Sequence, residues 1–156
     1  MSTLQAKAKD FLAQKRIAVV GVARKKPSTG AAIFKALSDR GYEVYAVNPN
    51  ADSVEGKPCY PSVRELPEKV DGVMVVTRPA VSEQVMRDCV EAGIPRVWMH
   101  YNPMFGKGNS SASDAAATYG EAHGLTVIAG GCPMMFLDFP HKCMHWLLRV
   151  TGSLPK

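Results

Sequence analysis

The chain has no apolar stretch near the ~18 residues that span a bilayer. Its longest apolar runs, such as Val73–Val76, are strand-sized. The opening residues Met1-Ser2-Thr3-Leu4-Gln5-Ala6-Lys7 contain no apolar core with a small-residue cleavage site, so no secretory signal is expected. Cysteine is sparse: Cys59, Cys89, Cys132 and Cys143, with no Cys-x-x-Cys pair. A zinc ribbon and a thioredoxin motif are therefore excluded, and the thiols are expected to be reduced in a cytoplasmic protein. Aromatic residues make up 8%, and none is interleaved with the one basic run, Arg24-Lys25-Lys26, so nucleic acid is not expected as a partner. The chain has no repeat, low-complexity tract or interdomain linker.

The composition that remains is ordinary for a globular domain, with 46% hydrophobic and 21% charged residues in a 156-residue chain. That length fits one domain and buries a core without a metal or disulfide staple. Charge is unevenly spread. Residues 1–40 hold nine basic residues and only Asp10 and Asp39 as acids, a local +7 against +5 for the whole chain. An excess of this kind suits an anionic ligand near the first third of the chain, or a solvated basic face.

Hydrophobic periodicity predicts alternating helices and strands. Thr3–Lys15 reads as a helix with Leu4, Ala8, Phe11 and Leu12 on one face. Ile17–Gly21 reads as a buried parallel strand. Ser28 or Thr29 caps a helix to about Arg40, ended by Gly41. Strands follow at Glu43–Val47, Val70–Val76, Arg96–Met99 and Leu125–Ala129. Residues 51–69, rich in proline and glycine, read as loop with one helical turn at Ser62–Leu66. Arg78-Pro79 opens a helix closed by Gly93, and Ser110 or Ser111 caps another that ends at Gly124. A last helix is expected over Asp138 to about Val150. The result is a doubly wound, mostly parallel five-stranded Rossmann-like α/β sheet with helices on both faces. Ligands of such folds bind at the carboxyl ends of the strands, where the strand order reverses.

The first strand-to-helix turn runs from Gly21 to Gly30 and has the makings of a phosphate site. A helix N-terminus offers unpaired N–H groups and partial positive charge. Gly21 permits a tight turn, Gly30 lets the helix approach the sheet, and Arg24, Lys25 and Lys26 add charge. The turn is not a dinucleotide fingerprint, because Ala23 stands where the second glycine belongs and Asn48 where a ribose-binding acid is expected. A Gly-Lys-Ser/Thr phosphate loop is also absent.

Longer segments carry a resemblance. Ile17-Ala18-Val19-Val20-Gly21-Val22-Ala23 is followed by Gly41-Tyr42-Glu43-Val44-Tyr45-Ala46-Val47-Asn48-Pro49 and by Gly56-Lys57-Pro58-Cys59-Tyr60-Pro61-Ser62. Ala92-Gly93-Ile94 precedes Val97-Trp98-Met99, and Gly131-Cys132-Pro133 closes the series. Over roughly residues 10–135 the chain resembles the small single-domain CoA-binding proteins. The unit is similar to the CoA-binding domain of the succinate–CoA ligase α subunit and of nucleotide-forming acyl-CoA synthetases. It departs from them at Arg78-Pro79, where Pro-Pro is usual, and at Met99–Pro103. Residues 136–156 extend past the usual end as a C-terminal helical extension of a single domain, 1–156.

The resemblance implies a coenzyme A site. Gly21, Val22, Ala23 and Arg24 would hold phosphate through backbone N–H groups, with Lys25, Lys26 and Ser28 around the phosphates. Asn48 and Pro49 would border the adenosine, and Thr77 and Arg78 would close the other side. The ligases that share the unit carry a phosphohistidine domain and a nucleotide-grasp domain, for which 156 residues leave no room. With no nucleophile elbow and no carboxylate pair in these loops, the expected function is a non-catalytic module that binds CoA or acyl-CoA, alone, as a homodimer or for a protein partner. The alternative is an NAD(P)-dependent or other small nucleotide-cofactor enzyme. Two further groups stand out. His100 and Cys132 follow strands expected to be neighbours, ~4.8 Å apart. They form either a thiol site in which the histidine lowers the thiol pKa, or a pair of buried structural residues. His141 and His145 share a helix face but Cys143 does not, so a docking helix is expected there rather than a metal site.

Overall fold

The computed structural model describes residues 3–23, 28–54, 56–101 and 110–137. Helix α1 spans Leu4–Leu12, and the Thr3 side chain caps it by accepting from the Ala6 N–H. It ends short of the predicted Lys15 because the N–H groups of Lys15 and Arg16 turn to the Asp71 carboxylate, at 3.3 and 3.0 Å. Strand β1 is Arg16–Val20 and helix α2 is Thr29–Asp39, capped by Ser28. Strand β2 is Glu43–Val47, β3 Ser53–Val54 and β4 Lys57–Tyr60, followed by a 3-10 turn at Val63–Glu65. Strand β5 is Gly72–Val75, α3 Pro79–Ala92 and β6 Arg96–Met99. Helix α4 is Asp114–Ala122, β7 Thr126–Ala129 and α5 Met134–Leu137.

The sheet order is β3-β4-β2-β1-β5-β6-β7. Every pair is parallel except β3 with β4. From β1 the chain steps outward through β2 to β4, then returns to the other side of β1 for β5, β6 and β7. This is a doubly wound Rossmann-like arrangement whose order reverses between β1 and β5.

Seven strands stand where five were expected. The two extra ones lie in the segment read as loop. β3 and β4 form a hairpin about Gly56, whose φ of +74° suits a tight turn. Pro58 hid β4 in the sequence. It precedes Cys59, the first β4 residue registered with β2, so its missing N–H takes nothing from that ladder. The predicted helical turn at Ser62–Leu66 is present as the 3-10 turn. Helix α4 is capped by Ser113, not by Ser110 or Ser111. Those two hydroxyls accept instead from the N–H groups of Ala112 and Thr77. The predicted helix at 138–150 lies outside the described residues, as does the 136–156 extension beyond Leu137.

Period-2 alternation along the strands divides the core into two layers. Ile17, Val19, Met74, Trp98 and Ile128 pack with Ala8 and Phe11 of α1 and Ile33, Phe34 and Leu37 of α2. Ala18, Val20, Val73, Val75, Val97, Met99 and Val127 pack with Val85, Met86 and Cys89 of α3 and Ala116 of α4. Trp98 anchors the first layer. Its Nε1 donates to the Gly130 carbonyl at 2.9 Å, and its ring meets Phe11 edge-on at 5.4 Å. Phe11 in turn rests on Gly72, where an added Cβ would lie 2.6 Å from Cε2.

That contact predicts coupling between α1 and β5. Gly72→Ala should destabilise the fold by about 1–3 kcal/mol through overpacking. Phe11→Leu removes the obstructing ring atoms, so the double variant should lose less than the two single losses combined. Urea unfolding of all four proteins measures this; strictly additive losses would contradict the contact.

Candidate functional site

Three strand ends converge where the strand order reverses. Each is followed by a residue with a distinct local task. Gly21, after β1, has φ +98° and donates its N–H to the Val47 carbonyl at 3.0 Å. A Cβ on it would lie 2.1 Å from the Val76 carbonyl oxygen. Glycine is required here for both reasons. Gly30, in the first turn of α2, approaches the same loop from the other side: a Cβ there would lie 2.5 Å from the Gly21 carbonyl oxygen. The expected tight turn at Gly21 and close approach at Gly30 are present, while the Gly21 N–H, expected to hold phosphate, is taken by the Val47 carbonyl.

Asn48, after β2, works as a clamp. Its Nδ2 donates to the Val22 carbonyl at 2.8 Å, and its Oδ1 accepts from the Asn50 N–H at 2.8 Å. Thr77, after β5, donates its N–H to Ser111 Oγ at 2.9 Å, and its hydroxyl lies 3.1 Å from Ser82 Oγ. Ser111 is 1% exposed and ties the chain after β6 to the end of β5.

These elements enclose an open cavity of about 630 Å³, within the range of small-molecule and cofactor sites. Gly21, Ser28, Asn48, Pro49, Thr77 and Arg78 of the sequence-derived set line it. Val22 is buried and Ala23 is half-buried, and neither lines it. Arg24, Lys25 and Lys26 lie outside the described residues. Cys132 and His100 are buried, at 4% and 2% exposure, and neither lines the cavity. His141, Cys143 and His145 lie outside the described residues.

Two helices aim their N-termini into this space. In α2 the Ala31 N–H goes to Ser28 Oγ and the Ala32 N–H to the Ser28 carbonyl. The N–H groups of Thr29 and Gly30 have no partner among the described residues. Helix α3 has Pro79 at its first position and no side-chain cap. The N–H groups of Val81 and Ser82 return to the Arg78 carbonyl, and that of Ala80, which does not line the cavity, has no partner among the described residues. The α2 end, with N–H groups unpartnered among the described residues, forms a cradle for an anion, and Arg78 at the start of α3 adds positive charge beside it.

The far wall was not foreseen. Pro61, Ser62 and Val63 beside the 3-10 turn face Val81, Gln84, Val85 and Asp88 of α3. Val81, Val85 and Asp88 recur at helical spacing, but the sequence does not say that the facing wall comes from the residues after β4.

The buried thiols are held protonated. Burial pushes the Cys132 thiol up, opposed by the backbone N–H groups of Met134 and Met135. Burial likewise raises Cys59 and, further, Cys89.

Comparison with known proteins places the chain among relatives. A model of the CoA binding domain matches residues 15–138. An acetate–CoA ligase (ADP-forming) II from Archaeoglobus fulgidus is 33% identical over 88 residues, which are 55% of this chain but 13% of that protein. The uncharacterized protein YneT from Bacillus subtilis is 34% identical over 84 residues, 54% of this chain and 62% of that protein. This chain thus spans only part of both relatives. Among solved structures, a hypothetical protein from Pyrococcus horikoshii superposes with TM-score 0.75 at 28% identity, covering 87% of this chain and 92% of that one.

Two outcomes test the local geometry. Gly21→Ala should cost about 2–4 kcal/mol, from a left-handed backbone and a blocked carbonyl. Gly124→Ala, also at positive φ but in open space, should cost only about 1–2 kcal/mol. Equal melting-temperature losses would contradict the close approach. The thiolate is the reactive form of cysteine, so raised pKa values leave less of it at pH 8. Cys59, Cys89 and Cys132 should therefore alkylate more slowly than a model thiol in the native protein, and at the model rate in denaturant. Fast native labelling of Cys132, mapped by peptide mass, would reverse that reading.

Proposed function

The chain belongs to the CoA-binding domain family, and from that premise we propose that it binds coenzyme A or an acyl-CoA as a small module without turnover of its own. The observation that carries this reading is the cavity where the strand order reverses, lined by Thr29 and Gly30 at the N-terminus of α2, whose N–H groups have no partner among the described residues. Thr29, Gly30 and the Ser28 hydroxyl would hold phosphate on the α2 side. Gly21 contributes space rather than a donor, since its own N–H is committed to Val47. Arg24, Lys25 and Lys26 would add charge for the further phosphates. Asn48 would hold the first turn in shape through Val22, and Pro49 would border the adenosine. Thr77 and Arg78 would close the α3 side. When bound, coenzyme A supplies a thiol able to carry an acyl group; the chain's residues bind and orient it. Asn48, not an acid, stands directly after β2 where a residue holding ribose hydroxyls is expected, which favours CoA over a nicotinamide dinucleotide.

Calorimetry with CoA, dephospho-CoA and NADH tests the proposal. CoA should bind, NADH should bind far more weakly, and raised salt should weaken CoA binding. Replacing both Arg24 and Lys25 by Glu should lower CoA affinity about tenfold or more. NADH binding as tightly as CoA, or steady consumption of acyl-CoA or NADH by the purified protein, would overturn it.

A further inference from the structure

The cavity carries two charged side chains among the described residues, and they have opposite signs. Arg78 stands at the start of α3. Asp88 lies ten residues along the same helix, about 15 Å away along its axis. The site therefore has a cationic mouth, with the helix N-termini, and an acidic foot.

The foot has its own chemistry. The Asp88 side chain is only 16% exposed. Its Oδ1 accepts from Gln84 Nε2 at 3.0 Å and lies 3.7 Å from Arg64 Nε. Its Oδ2 makes no hydrogen bond among the described residues. Arg64 does not neutralise the foot, because its Nη1 is held at 2.7 Å by Glu91. One guanidinium thus serves two carboxylates, and a phosphate placed here meets net negative charge. Between mouth and foot the walls are largely apolar, with Val81 and Val85 on one side and Pro61 and Val63 on the other, interrupted by Gln84 and Ser62. Val81 is 47% exposed, the one large hydrophobic side chain left open among the described residues. The Asp88 carboxylate at the foot of this slot offers Oδ2 to a donor on a ligand, and a charged acceptor makes such a bond strong.

We infer that Asp88 sets ligand specificity by accepting an N–H from a neutral, apolar-bodied part of the ligand whose phosphates lie at the helix N-termini. This rests on the coenzyme A reading. That molecule offers such a donor in two places, the 6-amino group of adenine and the amides of its pantetheine arm.

Calorimetry on wild type, Asp88→Asn and Asp88→Ala separates the two sources. The probes are CoA, adenosine 3′,5′-bisphosphate, its hypoxanthine counterpart and 4′-phosphopantetheine. If adenine is the donor, wild type should prefer the adenine fragment to the hypoxanthine one by about tenfold. Asp88→Asn should then narrow or reverse that preference, because a carboxamide can donate to the 6-oxo group. If the pantetheine arm is the donor, 4′-phosphopantetheine should lose about tenfold on Asp88→Ala, and the base change should have no effect. Either pattern supports the assignment. Unchanged melting of Asp88→Asn shows that the fold is intact. If wild type binds CoA and both variants bind every probe equally well, the Asp88 assignment is overturned and the CoA reading stands. If wild type binds none of the probes, both fall.

Discussion

The site depends on a backbone approach too close for any side chain. Gly21 sits between the ends of β2 and β5, donating to the Val47 carbonyl on one side and lying against the Val76 carbonyl on the other. Gly30 then brings the first turn of α2 onto the Gly21 carbonyl. A side chain at Gly30 would push α2 away from the Gly21 carbonyl and shift the Thr29 and Gly30 N–H groups, while one at Gly21 would collide with the Val76 carbonyl at the end of β5. Ser28 and Asn48 secure the arrangement, one capping α2 and the other tying the end of β2 to Val22.

The core below keeps the strand ends in place. The inner strands β1, β5 and β6 are buried on both faces, so their alternate residues must satisfy two helical layers at once. Trp98 joins several of these constraints, with its ring against Phe11 and Phe136 and its indole N–H on Gly130. At the opposite edge Arg96 reaches Asp10 at 2.7 Å, and Arg16 reaches Glu43 and Glu68. These pairs are partly or largely exposed and add little stability individually. They stand at the opposite ends of the strands from the cavity, which leaves the carboxyl edge for unpaired donors.

Charge is graded along the cavity as well. Helix N-termini and Arg78 make one end suited to anions, while Asp88, beside Glu91 and a shared Arg64, makes the other unsuited to them. A ligand anionic at both ends fits poorly. One that is anionic at one end, with an apolar, hydrogen-bonding remainder, fits both ends and the Val81–Val85 wall between them.

In the sequence by itself, local rules sufficed for the alternation of buried strands, a cap for α2 at Ser28 or Thr29, the glycines of the first turn and the α/β class. Each is a property of a few adjacent residues, so each could be read without knowing its neighbours in space. The β3–β4 hairpin escapes such rules, because a two-residue β3 and Pro58 in β4 leave no periodic signal and only the pairing of β4 with β2 makes them a sheet edge. The sequence named Ser110 or Ser111 where Ser113 caps α4, because three nearby serines are locally equivalent and the Thr77 N–H claims one of them. Tertiary structure alone decided that Pro61 and Val63 face Val81, Val85 and Asp88 across a cavity. Residues some twenty positions apart meet there because the chain must cross from β4 on one side of β1 to β5 on the other, and that crossing is set by the packing of the whole sheet.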